Sequence, residues 1–163
     1  MSTIKLQTSD EIEFVLDSQL VRHFGTISTM LEDAGIKLTD GEVIPLPNVN
    51  SAIFRKLLEW VEHHKHDHCG PSAAEELNQR ADDISRWDRA FLNVDQRTLF
   101  QIMLAANYLD MKALVAVTCK TVANMIEGKT VEQIRSTFHI KNDFPPGEEK
   151  KIRAKMELWE ERT

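Results

Sequence analysis

The residues best suited to chemistry lie between His63 and Cys69, in the run HHKHDHC. In an extended backbone alternate side chains point the same way. His64, His66 and His68 would then face one side, and Cys69 could close a donor set of the kind zinc accepts. Two features weigh against a metal centre. The run closes an amphipathic segment, and histidine and lysine suit the last turn of a helix, where the dipole is negative. A metal site also needs neighbours that orient its ligands, which a polar loop supplies poorly. Cys119 is a candidate nucleophile by type alone. It lies on an apolar helical stripe with no histidine at helical spacing, and such a thiol is ordinarily inert packing. Asp82 and Asp83 sit in a polar stretch and read as solvated carboxylates rather than an acid/base pair. Glycine is scarce and never clusters as a phosphate cradle would require. No catalytic constellation, metal site or cofactor motif emerges, so function is expected to reside in surfaces.

The element that would present such a surface is the stretch from Asp95 to Gly128, DQRTLFQIMLAANYLDMKALVAVTCKTVANMIEG. It predicts two helices broken at Asp110. Asp95 is expected to cap the first by accepting from amides of its opening turn, and Asp110 to do the same for the second. Gly128 stands where a helix ends in a left-handed residue. On the second helix, Leu114, Val117, Thr121 and Met125 form one stripe, and Val115, Cys119, Val122 and Ile126 a neighbouring one. Together they span roughly 200°, where a surface helix needs an apolar arc of about 100° or somewhat more. Such a helix should be covered from two directions. One side is the domain core; the other is a further segment of the chain or a partner.

Composition narrows the function classes. The chain has 163 residues and a formal net charge of -6. That charge argues against nucleic acid, whose phosphates need clustered Lys and Arg. The hydrophobic fraction of 42% is ordinary for a folded domain. No run is long enough to span a bilayer, and the N-terminus MSTIKLQTSD lacks the character of a signal peptide. Cys69 and Cys119 differ in setting, one in a polar loop and one on an apolar stripe. A disulfide is therefore not expected, which fits a reducing compartment, cytoplasm or nucleus.

In chain order, Ile4 and Leu6, then Ile12, Phe14 and Leu16, alternate with polar neighbours around a Ser9–Asp10 turn and predict a hairpin with one buried face. A short helix is expected from Asp17 to Val21. Another runs from about Thr26 to Ala34, with Ile27, Met30, Leu31 and Ala34 on its inner face and Gly35 as its stop. A turn at Thr39–Glu42 leads to a third short strand, Val43 to Pro47. The segment SAIFRKLLEWVEHHK predicts an amphipathic helix with Ile53, Leu57, Trp60, Val61 and His64 on one face. Residues 66–86 read as an exposed, flexible loop, with order resuming at Trp87. After Gly128, Thr130 and Gln133 form a capping box for a helix carrying Ile134 and Phe138. Ile140, Phe144 and the Pro145–Pro146 pair lead to a last helix. Glu148 and Glu149 stand in its first turn, and Ile152, Met156 and Trp159 recur along it. This tail is too small to build its own core. Its apolar side chains are expected on the wide helix, on another protein, or on both. The mixture of small sheet and helices predicts an α/β or α+β class.

The strings IPLPNVNSAI, ADDISRWDRAFLNVDQ, LAANYLDMKALVAVTCKTVANMIEGKT and EQIRSTFHIKNDF resemble the S-phase kinase-associated protein (Skp) family, the adaptors of SCF ubiquitin ligases. The resemblance runs from IKLQ near the start to WEE near the end. It implies a BTB/POZ fold over residues 1–127, a small three-stranded sheet covered by helices, with F-box-binding helices over 110–163. It also implies a non-catalytic role: the adaptor bridges a cullin scaffold to F-box proteins, which bring the substrates. By motif, Asn107 and Tyr108 match the family's cullin-facing positions. Leu99, Met103, Val115, Cys119, Val122 and Ile126 match its F-box-facing surface, as do Phe138, Ile140 and Trp159. Family members also form homodimers through this surface when no F-box is present, so a self-associating BTB/POZ scaffold is the alternative reading. The chain departs from the family pattern at TDGEV, at Arg97 in place of glycine, at FPPGEE and at Glu160. These departures bear on the choice of partners more than on the role.

Overall fold

Alternation of Ile4 and Leu6 with polar neighbours produces strand β1 (Thr3–Thr8), whose buried side chains form one face. It pairs antiparallel with β2 (Glu13–Asp17), Ile4 opposite Leu16 and Leu6 opposite Phe14. Strand β3 (Val43–Leu46) joins the other edge in parallel, giving the order β2-β1-β3. Pro45 of β3 sits opposite Gln7, at a sheet edge where a missing amide is tolerated. The computed structural model describes residues 3–33, 43–66 and 84–162. The expected Thr39–Glu42 turn, Ala34, Gly35, His68, Cys69, Asp82 and Asp83 lie outside the described residues. The chain divides into two units, Met1–Met125 and Ile126–Thr163.

In the first unit, helix α1 (Ser18–Val21) is capped by Asp17, which accepts from the Gln19 amide. Helix α2 (Gly25–Asp33) buries Ile27 completely and leans Leu31 on the core. Met30, expected on the same inner face, is 48% exposed; the stripe through Ile27 and Leu31 leaves it on the flank. Helix α3 (Ser51–His63) starts at Asn50, whose side chain accepts from the Ile53 amide. It buries Ile53, Leu57, Trp60 and Val61, and also Phe54. Phe54 joins Phe14 and Phe24 in a ring cluster with centroids 4.9 and 5.9 Å apart. The expected start at Trp87 falls too late in the chain. Ile84 is buried, and Ser85 caps helix α4 (Arg86–Phe91) by accepting from the Asp88 amide. A single apolar residue in a polar run carries no periodicity, which is why the expected loop ran on to Arg86.

Helix α5 (Gln96–Tyr108) begins at Asp95 as expected, with the Thr98 amide donating to its carboxylate. Helix α6 (Lys112–Ile126) follows. The expectation that Asp110 caps α6 is wrong. Asp110 has φ +53° and instead closes α5. Its amide donates to Asn107 O (3.2 Å), while the Met111 amide reaches back to Ala106 O (2.8 Å). This is the Schellman pattern, and buried Met111 supplies the apolar contact that accompanies it. Aspartate tolerates the left-handed region, so one residue type suits both helix ends. Here the end of α5 claims it. The start of α2 docks on the same corner. Thr26 donates from its amide to Leu109 O (3.2 Å) and from Oγ1 to Tyr108 O (2.9 Å). Donors at a helix start thereby meet acceptors at another helix's end.

The second unit holds helices α7 (Val131–Phe138) and α8 (Glu148–Glu160), on which no residue is buried. The Thr130–Gln133 capping box is present in both directions. His139 (φ +54°) and Gly147 (φ +86°) turn the chain between the helices. Glu149 accepts from Arg135 (3.2 Å), Asn142 (3.2 Å) and Arg153 (3.0 Å). Arg153 also pairs with Glu132, and the Arg135 guanidinium lies over the Phe144 ring.

Candidate functional site

Helix α6 carries more apolar surface than the first unit buries. Its inner stripe is core: Leu114 and Val117 are buried. Thr118, which the apolar stripes left out, is buried beside them because its hydroxyl donates to Leu114 O and Val115 O, both at 2.9 Å. The outer stripe is different. Val115 and Val122 are half-buried against the core, Cys119 is exposed, and Ile126 is 41% exposed. The width of the apolar arc thus has a simple origin, one stripe for the core and one left at the surface.

An open groove of about 500 Å³ runs along this outer face, lined by Asn107, Asp110, Lys112, Val115, Ala116, Cys119, Lys120 and Ala123. Its lining joins the small side chains of Ala116, Cys119 and Ala123 to the cations Lys112 and Lys120. The structure therefore brings Asn107, expected on one partner's surface, into the same groove as Val115 and Cys119, expected on another's. Tyr108, next to Asn107, is half-buried against the core.

The remaining expected positions divide. Leu99 is only 3% exposed, so in the free chain it supports α5 from inside the core and does not line a surface. Met103 is half-buried. Phe138 (half-buried), Ile140 (54% exposed) and Trp159 (74% exposed) belong to the second unit. Leu104, which the motif comparison passed over, is 68% exposed. Helical phase was the available signal, since Leu104 falls outside the arc of Leu99, Ile102 and Ala106.

Two histidines of the run, His63 and His64, are engaged in packing. The His64 ring stacks on Trp60 at 4.1 Å, and its Nδ1 lies 2.9 Å from Trp60 O. Its Nε2 lies 3.5 Å from Asp88 Oδ2. His63 stacks on Trp87 at 3.8 Å. Asp88, buried on α4, accepts from Trp60 Nε1 (2.9 Å) and Ser85 Oγ (2.6 Å). Burial pushes the Asp88 carboxyl up, but hydrogen bonds from His64, Ser85 and Trp60 and the charge of His64 outweigh it and hold the group below the usual range. Among the described residues no group of three His, Cys, Asp or Glu could hold a metal ion. No helix among them is long and apolar enough to cross a membrane.

Comparison with known proteins bears on the whole chain. Residues 2–66 match the model of the Skp1 family tetramerisation domain, and residues 112–157 that of the Skp1 family dimerisation domain. The chain is similar to the E3 ubiquitin ligase complex SCF subunit sconC of Aspergillus clavatus, 47% identical over 98% of this chain and 99% of the relative. The subunit of the same name from Arthroderma otae is 48% identical over 99% of this chain and 96% of its own. That from Neosartorya fischeri is 47% identical over 99% and 100%.

Proposed function

This chain belongs to the Skp1 family, and from that premise we propose that it is the non-catalytic adaptor of an SCF-type E3 ubiquitin ligase, joining a cullin scaffold to F-box proteins. Residues 2–66 of its first unit, which include the three-stranded sheet, match the family's POZ model. The observation that carries the reading is the outer stripe of α6. Val115, Cys119, Val122 and Ile126 leave apolar surface at half-burial or beyond, on a helix whose other stripe is already core. Covering such surface is favourable by about 25 cal/mol per Å². An apolar stripe at helical spacing is suited to a partner that docks a helix or lays an apolar segment into a groove.

The F-box side comprises this stripe with Met103, and from the second unit Phe138, Ile140 and Trp159. The cullin side comprises Asn107 and Tyr108. No residue in this scheme forms or breaks a bond; the adaptor acts by holding two proteins together. When no F-box is present, the same stripe pairs with a second copy of the chain.

Substituting Val122→Asp or Ile126→Asp tests the reading. Each places a charge on the stripe at a position that is not fully buried, so the far-UV circular dichroism should remain that of wild type. Binding of an F-box peptide should be abolished, and undiminished binding would count against the proposal. A concentration-independent dimer with no affinity for a cullin N-terminal fragment would favour the self-associating scaffold instead.

A further inference from the structure

Both ring nitrogens of His64 face oxygens that can only accept. Nδ1 lies 2.9 Å from Trp60 O, a carbonyl that already takes the His64 amide at 3.0 Å. Nε2 lies 3.5 Å from Asp88 Oδ2. A neutral imidazole carries one N–H and one lone pair, so one of these approaches would set lone pair against lone pair. An imidazolium has a donor for each. Asp88 does not supply the missing proton. Trp60 Nε1 and Ser85 Oγ donate to its two oxygens. Burial raises its carboxyl, yet the hydrogen bonds it accepts hold it below the usual carboxylate range.

We infer that His64 is held as the imidazolium, donating from both ring nitrogens, and that its charge latches α4 onto α3 as a switch that releases when pH rises through the neutral range. Three further features favour the charged ring. The two side chains are only 14% and 7% exposed, so salt screens the pair little. His64 is the C-cap of α3, at the negative end of the helix dipole. Its ring stacks on Trp60 with centroids 4.1 Å apart, and the face of an indole attracts a cation. The cationic groups around the junction are exposed and screened. They are His63, whose ring meets that of His64 edge-on at 4.9 Å, Lys65, and Arg22 at the end of α1, which donates to Lys65 O. Arg86 and Arg89 of α4 are exposed as well. Helix α4 is six residues long, too short to persist without packing, so its hold on α3 decides whether it forms. The switch does not depend on the adaptor reading.

The test follows the histidine ring signals of the full chain by NMR across the neutral range, with His64 assigned through the backbone. Its midpoint should lie about one unit or more above the ordinary value of about 6.5. Asp88→Asn, which keeps the shape and removes the charge, should bring it down by about one unit or more. A raised folded value makes the contribution complete below about pH 6.5 and removes it as pH rises through that folded value. One unit of elevation corresponds to a bias of about tenfold towards the latched state. The amides of Arg89 and Leu92 donate to Ser85 O and Asp88 O and report on α4. Between about pH 6 and about pH 8.5 their protection, corrected for the intrinsic pH dependence of exchange, should fall about fivefold or more. His64→Gln should remove that fall. A wild-type midpoint short of the expected elevation overturns the inference, and that measurement stands even if neither variant folds. So does a midpoint that Asp88→Asn leaves in place, or an equal loss of protection in His64→Gln.

Discussion

Replacing Asp88 by alanine should cost this protein about 2–4 kcal/mol of stability, because the carboxylate is the shared acceptor at a buried junction of α3 and α4. The magnitude follows from its partners. Trp60 Nε1 donates to Asp88 Oδ1 at 2.9 Å, and Trp60 is 5% exposed, so its N–H would be left without an acceptor. An orphaned buried donor costs about 1–3 kcal/mol. Ser85 also donates, at 2.6 Å, but it is exposed and can turn to water. The imidazole of His64, 3.5 Å away and half-buried, would lose a facing carboxylate, worth up to about 1 kcal/mol more when the ring is protonated. Urea unfolding of the full chain, with the slope held common to all variants, measures the sum. The decisive assay is a double-mutant cycle with Trp60→Phe, which removes the donor. In that background Asp88→Ala should cost less by about 1–2 kcal/mol. The pH dependence supplies a second check. The carboxyl sits below its ordinary value despite burial, so its contribution is present above the ordinary value of 3.8 and is lost as pH falls through the lower folded value. The gap between wild type and Asp88→Asn should therefore close in strong acid. A coupling energy indistinguishable from zero would refute the reasoning, since Trp60 would then not depend on this acceptor.

Gly25→Ala should destabilise the chain by about 1–3 kcal/mol, read from the midpoint of chemical denaturation. A Cβ there would stand 2.4 Å from Asp110 Oδ2 and 2.9 Å from Asp110 O, and the second of these is backbone that cannot swing away. The carboxyl of Asp10 should titrate by NMR near its lowered value of about 2, because the side chains of Ser51 and then Thr8 donate to it. Its contribution to stability is present above the ordinary value of 3.8 and fades as pH falls through about 2. Ser51→Ala should raise that midpoint toward 3.8.

Local signals were legible in the sequence wherever one residue type had one use. The amphipathic segment SAIFRKLLEWVEHHK could only make α3, and Thr130 with Gln133 could only make a capping box. Period-two alternation put Ile4, Leu6 and Leu16 on the buried face of the sheet. The failures share a different character. Asp110 suits a helix start and a left-handed helix end equally, and burial of Met111 decides between them. Asp88 carries no signal in the sequence, because its partners Trp60 and His64 come from another helix. Leu99 and Leu104 are the same residue on the same helix, yet one is 3% exposed and the other 68%. Only the phase of α5 against the core separates them. A motif carried from relatives names positions and says nothing of phase, so it could include Leu99 and omit Leu104.

The same distinction explains how an adaptor can be visible in a sequence that holds no reactive group. Catalysis concentrates specific residue types at specific distances, whereas binding needs only apolar area that the fold declines to cover. In the first unit that surplus is the outer stripe of α6. In the second it is nearly everything: no residue of α7 or α8 is buried, and Met156, Leu158 and Trp159 are each at least 60% exposed. Among the interactions between those two helices is a charge network centred on Glu149 and Arg153, and ion pairs at a surface contribute only about 0–1 kcal/mol each. Charge can set the geometry of such a unit, but it cannot supply the apolar burial that stabilises folded domains of this size. Apolar residues spent this way suit the proposed adaptor role, in which other proteins cover the remaining surface.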